Sequence, residues 1–142
     1  MPTHAQLYTD FIYGKTSEVV QFQVASVGIG VPSPSVKLDV GGDVRANAFF
    51  YSSDARLKTN VHRIENAYDK LVRLNGVSYN RIDTGRREYG LIAQEVEDVL
   101  PEVVLTDHNG YKSVDYSKIV PLLIEALKEQ QQKIERLEAC NG

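Results

Sequence analysis

A heptad pattern near the C-terminus constrains the fold more than any other feature of the sequence. From about residue 117 to residue 139 the chain runs SKIVPLLIEALKEQQQKIERLEA. Proline is tolerated only in the first turn of a helix, so Pro121 places the predicted helix start near Ser117. Five of the six positions expected at an a/d seam are apolar, which predicts a short coiled coil. The six seam positions are Val120, Leu123, Leu127, Gln130, Ile134 and Leu137.

Gln130 is the polar exception in this seam. A polar seam residue costs stability, but it can fix the register and the number of strands. Lys133 at position g and Glu138 at the following e position are able to pair between helices. The alternative is one amphipathic helix that packs only on its own domain. The run Gln130-Gln131-Gln132 and its polar flanks favour a helix that extends beyond a small core.

The two parts of the chain differ in charge. Residues 1–52 hold seven of the 35 charged side chains, which leaves 28 for residues 53–142. The first part contains three segments of strand-like composition, separated by turns and by breaks at 28–30 and 32–34. These segments are Gln6–Tyr13, Val19–Val24 and Lys37–Val40. A region this short has too few large apolar residues to fold alone, so we expect the end of a β-rich shaft completed by other copies. A flexible leader is the alternative.

Residues 53–142 predict a small mixed domain that ends in the coiled-coil helix, so the expected fold class is α+β. Two helices, one strand and one hairpin are expected before that helix. They are a helix capped by Asn66 and ending at Leu74, a strand over Val77–Ile82, a helix over Leu91–Leu100 ended by Pro101, and a hairpin of Val103–Leu105 with Tyr111–Val114 around Asn109-Gly110.

Composition argues against several classes of function. A net charge of -3 gives no broad basic field, so we expect no nucleic-acid partner and no binding to anionic membranes. No apolar run approaches the roughly 20 residues needed to cross a bilayer. Cys140 is the single cysteine, and His4, His62 and His108 are widely scattered. We therefore expect no disulfide framework, no metal and no cofactor.

Candidate catalytic residues lie at the junction of the two parts. A serine hydroxyl is a poor nucleophile until a base takes its proton, and a lysine can serve when burial or a nearby cation favours its neutral form. Lys58 follows Ser53 at a distance that lets a turn bring the two side chains together, and Arg56 is a candidate for the nearby cation. Spacing alone is a weak signal, because serine and lysine are common residues.

The run Ser53-Asp54-Ala55-Arg56-Leu57-Lys58 resembles the opening SDxRLK motif of the peptidase S74 family. These are the intramolecular chaperone domains at the C-termini of phage endosialidases, tail fibres and neck appendages. The resemblance continues in order and spacing through LIAQEVE at 91–97, PEVV at 101–104, VDY at 114–116 and PLLIEALKE at 121–129. The preceding segments VGIG, SPSVKLDV and GDVRA, between residues 27 and 46, resemble shaft segments of phage fibres less specifically.

The resemblance implies an intertwined homotrimer that folds a shaft and then cleaves itself between Ser52 and Ser53. By motif position, Ser53 is the nucleophile and Lys58 the general base. Asp54 and Arg56 are candidate supporting residues, and Asp54 has an equally good alternative as a turn cap. Ser53 is preferred to the adjacent Ser52, because only Ser53 has both the following aspartate and the correctly spaced lysine.

The same resemblance implies a location and partners. The shaft would remain in the virion tail fibre or appendage, and the parent fibre would bind a host-surface receptor or glycan. The released domain would stay in the bacterial cytoplasm. Two alternatives remain open at this point: a trimerisation cap that does not cut, and the related module of membrane-anchored eukaryotic transcription factors.

Overall fold

The computed structural model describes residues 25–141, and the chain divides between Ala48 and Phe49 into two compact units. The predicted strands Gln6–Tyr13 and Val19–Val24 lie outside the described residues. The predicted boundary between residues 52 and 53 is a proposed point of cleavage, and it stays a prediction.

The first unit contains a parallel pair of strands, β1 (Val27–Ile29) and β2 (Leu38–Val40), with Val27 opposite Leu38. β2 lies within the predicted strand, but β1 occupies a segment that was expected to break the chain, and that expectation was wrong. Pairing with β2 explains the difference, and the β-branched residues on either side of Gly28 suit the extended backbone. Gly28 itself allows a close approach, because a Cβ there would collide with the carbonyl oxygen of Val31.

The second unit combines helices with small antiparallel sheets, which confirms the prediction of a mixed domain of helices and strands. Its helices are α1 (Ala67–Leu71), α2 (Ala93–Glu97) and α3 (Ile119–Asn141). Its strands are β3 (Val77–Asn80), β4 (Arg87–Gly90), β5 (Val104–Thr106) and β6 (Lys112–Val114). Three 3-10 turns complete the described elements, at Ala55–Leu57, Pro101–Val103 and Tyr116–Lys118.

The strands of this unit form two antiparallel hairpins. In the first, Val77 of β3 lies opposite Gly90 of β4, and the connecting turn includes Gly85 with a φ of 68°. β4 was not predicted. In the second, Val104 of β5 lies opposite Val114 of β6, as the predicted hairpin requires. Gly110 adopts a φ of 86° in its turn, a conformation that glycine reaches without steric cost.

The two short helices differ from their predictions in length and capping. α2 is shorter at both ends than predicted, and Leu100, which precedes Pro101, has left the helical region with a φ of -141° and a ψ of 71°. Asn66 precedes α1, but its backbone is left-handed and its side chain makes no capping hydrogen bond. The expectation that Asn66 caps this helix was therefore wrong.

The core of this unit is small and centres on the contact between α1 and α3. Ala67 of α1 packs against Leu122 and Ala126 of α3, and all three side chains are buried. Partly buried apolar side chains surround them: Ile64, Tyr68, Leu71, Leu74 and Leu100. Val96 and Val103 are buried as well, on α2 and the adjoining 3-10 turn.

α3 has two apolar faces with different surroundings. Ile119, Leu122 and Ala126 are buried, which agrees with the alternative of a helix packed on its own domain. The five apolar residues of the predicted seam are between 40% and 64% exposed, and Gln130 is also exposed. The helix therefore packs on its own domain with one face and leaves the seam face open. The predicted C-terminal helix is confirmed, whereas its coiled-coil pairing with other chains stays a prediction.

Candidate functional site

A tight turn at the start of the second unit holds the candidate catalytic residues. Asp54 caps the 3-10 turn Ala55–Leu57, and its Oδ1 accepts a 2.9 Å hydrogen bond from the backbone N–H of Arg56. The turn closes when the N–H of Lys58 donates to the carbonyl oxygen of Ala55 at 3.1 Å. Asp54 thus acts as the turn cap that was its alternative role in the sequence.

This turn brings Ser53 and Lys58 into contact. Lys58 Nζ lies 2.7 Å from Ser53 Oγ, within hydrogen-bonding distance. A nucleophile and a base must approach this closely before a proton can pass between them. The arrangement is local, since the two residues are five apart in sequence.

Arg56 faces Asp54 rather than standing alone as a free cation. Its Nε and Nη2 donate to Oδ1 and Oδ2 of Asp54 at 3.0 and 2.7 Å, which forms a two-pronged ion pair. The Arg56 side chain, and then its backbone N–H, lower the pKa of Asp54. The pKa of Arg56 is raised by the same hydrogen bonding. The two charges therefore balance each other beside the Ser53–Lys58 contact.

The segment around the turn is exposed to solvent along its whole length. Residues 49–61 are all exposed, including Phe50 at 96%. This stretch also exposes large apolar side chains, namely Phe49, Tyr51, Leu57 and Val61. In a single chain the Ser53–Lys58 pair is thus surrounded by water, and apolar side chains that would ordinarily be covered flank it.

Sequence motifs that are far apart in the chain meet in the second unit. The Tyr116 hydroxyl accepts a 2.9 Å hydrogen bond from the backbone N–H of Leu91, and the N–H of Asp115 donates to Val103 at 2.8 Å. Gly90 leaves room at this junction, since a Cβ there would lie 2.6 Å from the Tyr116 hydroxyl oxygen and would displace it. The LIAQEVE, PEVV and VDY motifs thus build one framework.

Glu129 has a role that the sequence did not reveal. Its Oε1 and Oε2 accept hydrogen bonds of 2.9 Å each from the backbone N–H groups of Ala67 and Tyr68, the first two residues of α1. These bonds lower the pKa of Glu129. Lys133 Nζ lies 4.3 Å from the Tyr68 ring centroid, which adds a cation–π contact within the chain. The carboxylate that caps α1 lies 62 residues away in the sequence, so no local sequence pattern indicates it.

Among residues 25–141, no group of three or more His, Cys, Asp and Glu side chains is arranged to hold a metal ion. Cys140 is an exposed free thiol. No helix in this part of the chain has the length and apolar character needed to cross a bilayer.

Part of the second unit matches a known protein family. Residues 53–105 match the model of the peptidase S74 family, described as the chaperone of endosialidase, and the match begins at Ser53. This finding confirms the family resemblance seen in the sequence motifs.

Comparison with individual proteins then points to phage fibres. The chain is 37% identical over 106 residues to the long tail fiber protein Gp37 of Enterobacteria phage K3, and equally to that of phage T2. It is 33% identical over 106 residues to the Gp37 protein of phage M1. Each alignment covers 68% of this chain. It spans only 8% of the K3 and T2 proteins and 42% of the M1 protein.

Proposed function

We propose that this chain contains the C-terminal intramolecular chaperone of a phage tail fibre, which assembles as a homotrimer and then cuts itself between Ser52 and Ser53. The observation that carries the proposal is the 2.7 Å contact between Lys58 Nζ and Ser53 Oγ, at the point where the family match begins. The Gp37 relatives support the fibre context.

The proposed reaction starts with Lys58 in its neutral form. Lys58 takes the proton from Ser53 Oγ, which attacks the carbonyl carbon of Ser52. The peptide C–N bond then breaks, and Lys58 returns the proton to the departing amine of Ser53. An ester now joins the Ser52 carbonyl to Ser53 Oγ, and water hydrolyses it. The products are residues 1–52 and 53–142, and each chain acts once.

Exposed apolar surface supports the assembly step. The seam face of α3 and the segment around the catalytic turn both expose side chains that a stable monomer ordinarily covers. The buried core is small compared with this exposed apolar surface, because within the described residues only six apolar side chains are buried. A trimer would cover the seam, and it would exclude water from the Ser53–Lys58 pair. Exclusion of water favours the neutral form of a lysine, so assembly and cleavage become coupled.

The coupling has a physical purpose in the proposed fibre. A trimeric β-shaft depends on contacts between distant residues and slips register easily. A C-terminal module that trimerises first raises the local concentration of the three shaft segments. Removing the module afterwards leaves the shaft kinetically trapped. The shaft would stay in the virion appendage, where the fibre binds a receptor or glycan, and the released module would remain in the host cytoplasm.

Self-cleavage is tested by the intact mass and N-terminal sequence of the freshly expressed chain. We expect fragments of 52 and 90 residues, the larger one beginning Ser-Asp-Ala-Arg. Ser53→Ala removes the nucleophile and Lys58→Ala removes the base, so both variants should remain whole. Ser52→Ala is the matched control and should still be cut. An uncut wild-type chain, or a Ser53→Ala chain that is still cut, would disprove the protease proposal.

Trimerisation is tested separately on the seam face of α3. Leu127→Ala should weaken the trimer, because burying one leucine side chain contributes about 1.5–3 kcal/mol in each chain. Gln132→Ala, at the outward f position of the same helix, is the control. Native mass spectrometry over a dilution series measures the dissociation. If Leu127→Ala and Gln132→Ala dissociate at the same concentration as the unmodified chain, the seam is not the interface.

A trimerisation cap that does not cut is the second candidate function. The solvent exposure of residues 49–61 favours it, since in the single chain no packed surface excludes water from the contact between Ser53 and Lys58. An uncut wild-type chain that still forms a trimer would establish this alternative.

A further inference from the structure

We infer that Arg56 is a positioning residue for the proposed cleavage: it holds the Asp54 carboxylate away from Lys58, so that Lys58 remains bonded to Ser53. The inference deepens the proposed function and rests on it. It assigns Arg56 a role other than the general cationic field suggested by the sequence.

One acidic and two basic side chains share one short turn. Asp54, Arg56 and Lys58 all lie within five residues of Ser53. The carboxylate of Asp54 has two oxygens, and a lysine ammonium close by is a suitable partner for either. If Lys58 took that partner, its side chain would leave Ser53, and the negative charge would stabilise the protonated amine. A protonated amine cannot accept the hydroxyl proton.

The observed hydrogen bonds direct the Asp54 carboxylate toward Arg56 instead. Both carboxylate oxygens of Asp54 are occupied by the Arg56 guanidinium, at 3.0 and 2.7 Å, and Oδ1 also accepts the Arg56 backbone N–H at 2.9 Å. Within the described part of the chain, Lys58 Nζ has Ser53 Oγ as its hydrogen-bond partner and takes part in no ion pair. Arginine suits this task better than lysine, because its planar fork binds both oxygens at once.

The surroundings of the turn leave these groups to each other. Residues 51–61 are exposed, and the side-chain contact described for Lys58 is the one with Ser53. The other charged residues of the same turn are Asp54 and Arg56, which pair with each other. An exposed ion pair such as that of Asp54 and Arg56 adds little to the stability of the fold. We therefore expect Arg56 to affect the cleavage reaction rather than folding. Excluding water on assembly would strengthen each of these interactions.

The test is the pH dependence of cleavage in chains made by chemical synthesis and refolded at pH values from 5.5 to 9.5. Arg56→Gln frees the Asp54 carboxylate, so the pH of half-maximal cleavage should rise by about 0.5–1 unit. Asp54→Asn keeps a capping side chain but removes the charge, so its midpoint should not rise. The double variant, Asp54→Asn with Arg56→Gln, should return the midpoint to near the wild-type value.

Each outcome separates a positioning role from a merely structural one. If Arg56 only buttresses the turn, Arg56→Gln lowers the rate equally at every pH, and the double variant stays slow; that result would overturn the inference. If the wild-type chain cleaves normally and the pH profile of Arg56→Gln is not shifted, the inference about Arg56 is wrong but the proposed function stands. A wild-type chain that is never cut would instead overturn the proposed function on which it rests.

Discussion

The contact between α1 and α3 and the turn that holds Ser53 are stabilised in opposite ways. The helices are joined by buried side chains and by the Glu129 carboxylate, whose partners are 61 and 62 residues away. The turn is joined by hydrogen bonds between residues no more than five apart, and it is exposed throughout. One region therefore holds the domain together, while the other carries the proposed chemistry and adds little to the fold.

A substitution in the core should have the largest effect on the free energy of unfolding, and it would sharpen this comparison. Leu122 is 2% exposed, so Leu122→Ala should lower the free energy of unfolding by about 3 kcal/mol. Leu57 lies in the turn and is 73% exposed, so Leu57→Ala should change it by less than about 0.5 kcal/mol. Urea denaturation measures both, with Ser53→Ala as the background so that chain length stays constant. Equal losses would show that the turn is also part of the cooperative core.

A smaller effect is expected at the Glu129 cap, and it should depend on pH. Because the folded pKa of Glu129 is lowered from its ordinary value of 4.5, the carboxylate stabilises the fold above that pH. This stability should be lost as the pH falls through the lowered folded pKa. Glu129→Gln should therefore have a lower melting temperature at pH 7 and a weaker dependence on acid than the parent chain.

Glu135→Gln is the matched control for this measurement, since Glu135 is an exposed carboxylate on the same helix and accepts a hydrogen bond from Gln131, four residues away. It should leave the melting temperature and its pH dependence unchanged. Identical acid sensitivity in the parent and Glu129→Gln chains would mean that the cap does not join α1 to α3.

The same contrast explains what the sequence was able to predict. The contact between Ser53 and Lys58 depends on a short turn with an aspartate cap, and such local chemistry is visible in the order of the residues. The helix beginning near Pro121 and the hairpin around Gly110 are local features of the same kind. Their positions were predicted to within about two residues, as expected when fraying and capping set the ends.

The features that were missed depend on contacts across the chain. Asparagine is a residue type that commonly caps helices, but the carboxylate of Glu129, not the side chain of Asn66, caps α1. The glycines in and around β1 predict a break in the chain, whereas pairing with β2 decides its conformation. In each case a partner distant in sequence overrides the local preference.

The Glu129 cap also bears on the order of events during protein synthesis. A ribosome makes the chain from its N-terminus, so the residues of α1 are complete well before Glu129 has been added. Until then the first N–H groups of α1 have no carboxylate, and the helix is too short to be stable alone. The unit can therefore mature only after Glu129 has been made, by which time every residue of the first unit has left the site of synthesis. Under the proposed function, the order of synthesis alone would delay the chaperone until the segment that it folds is present.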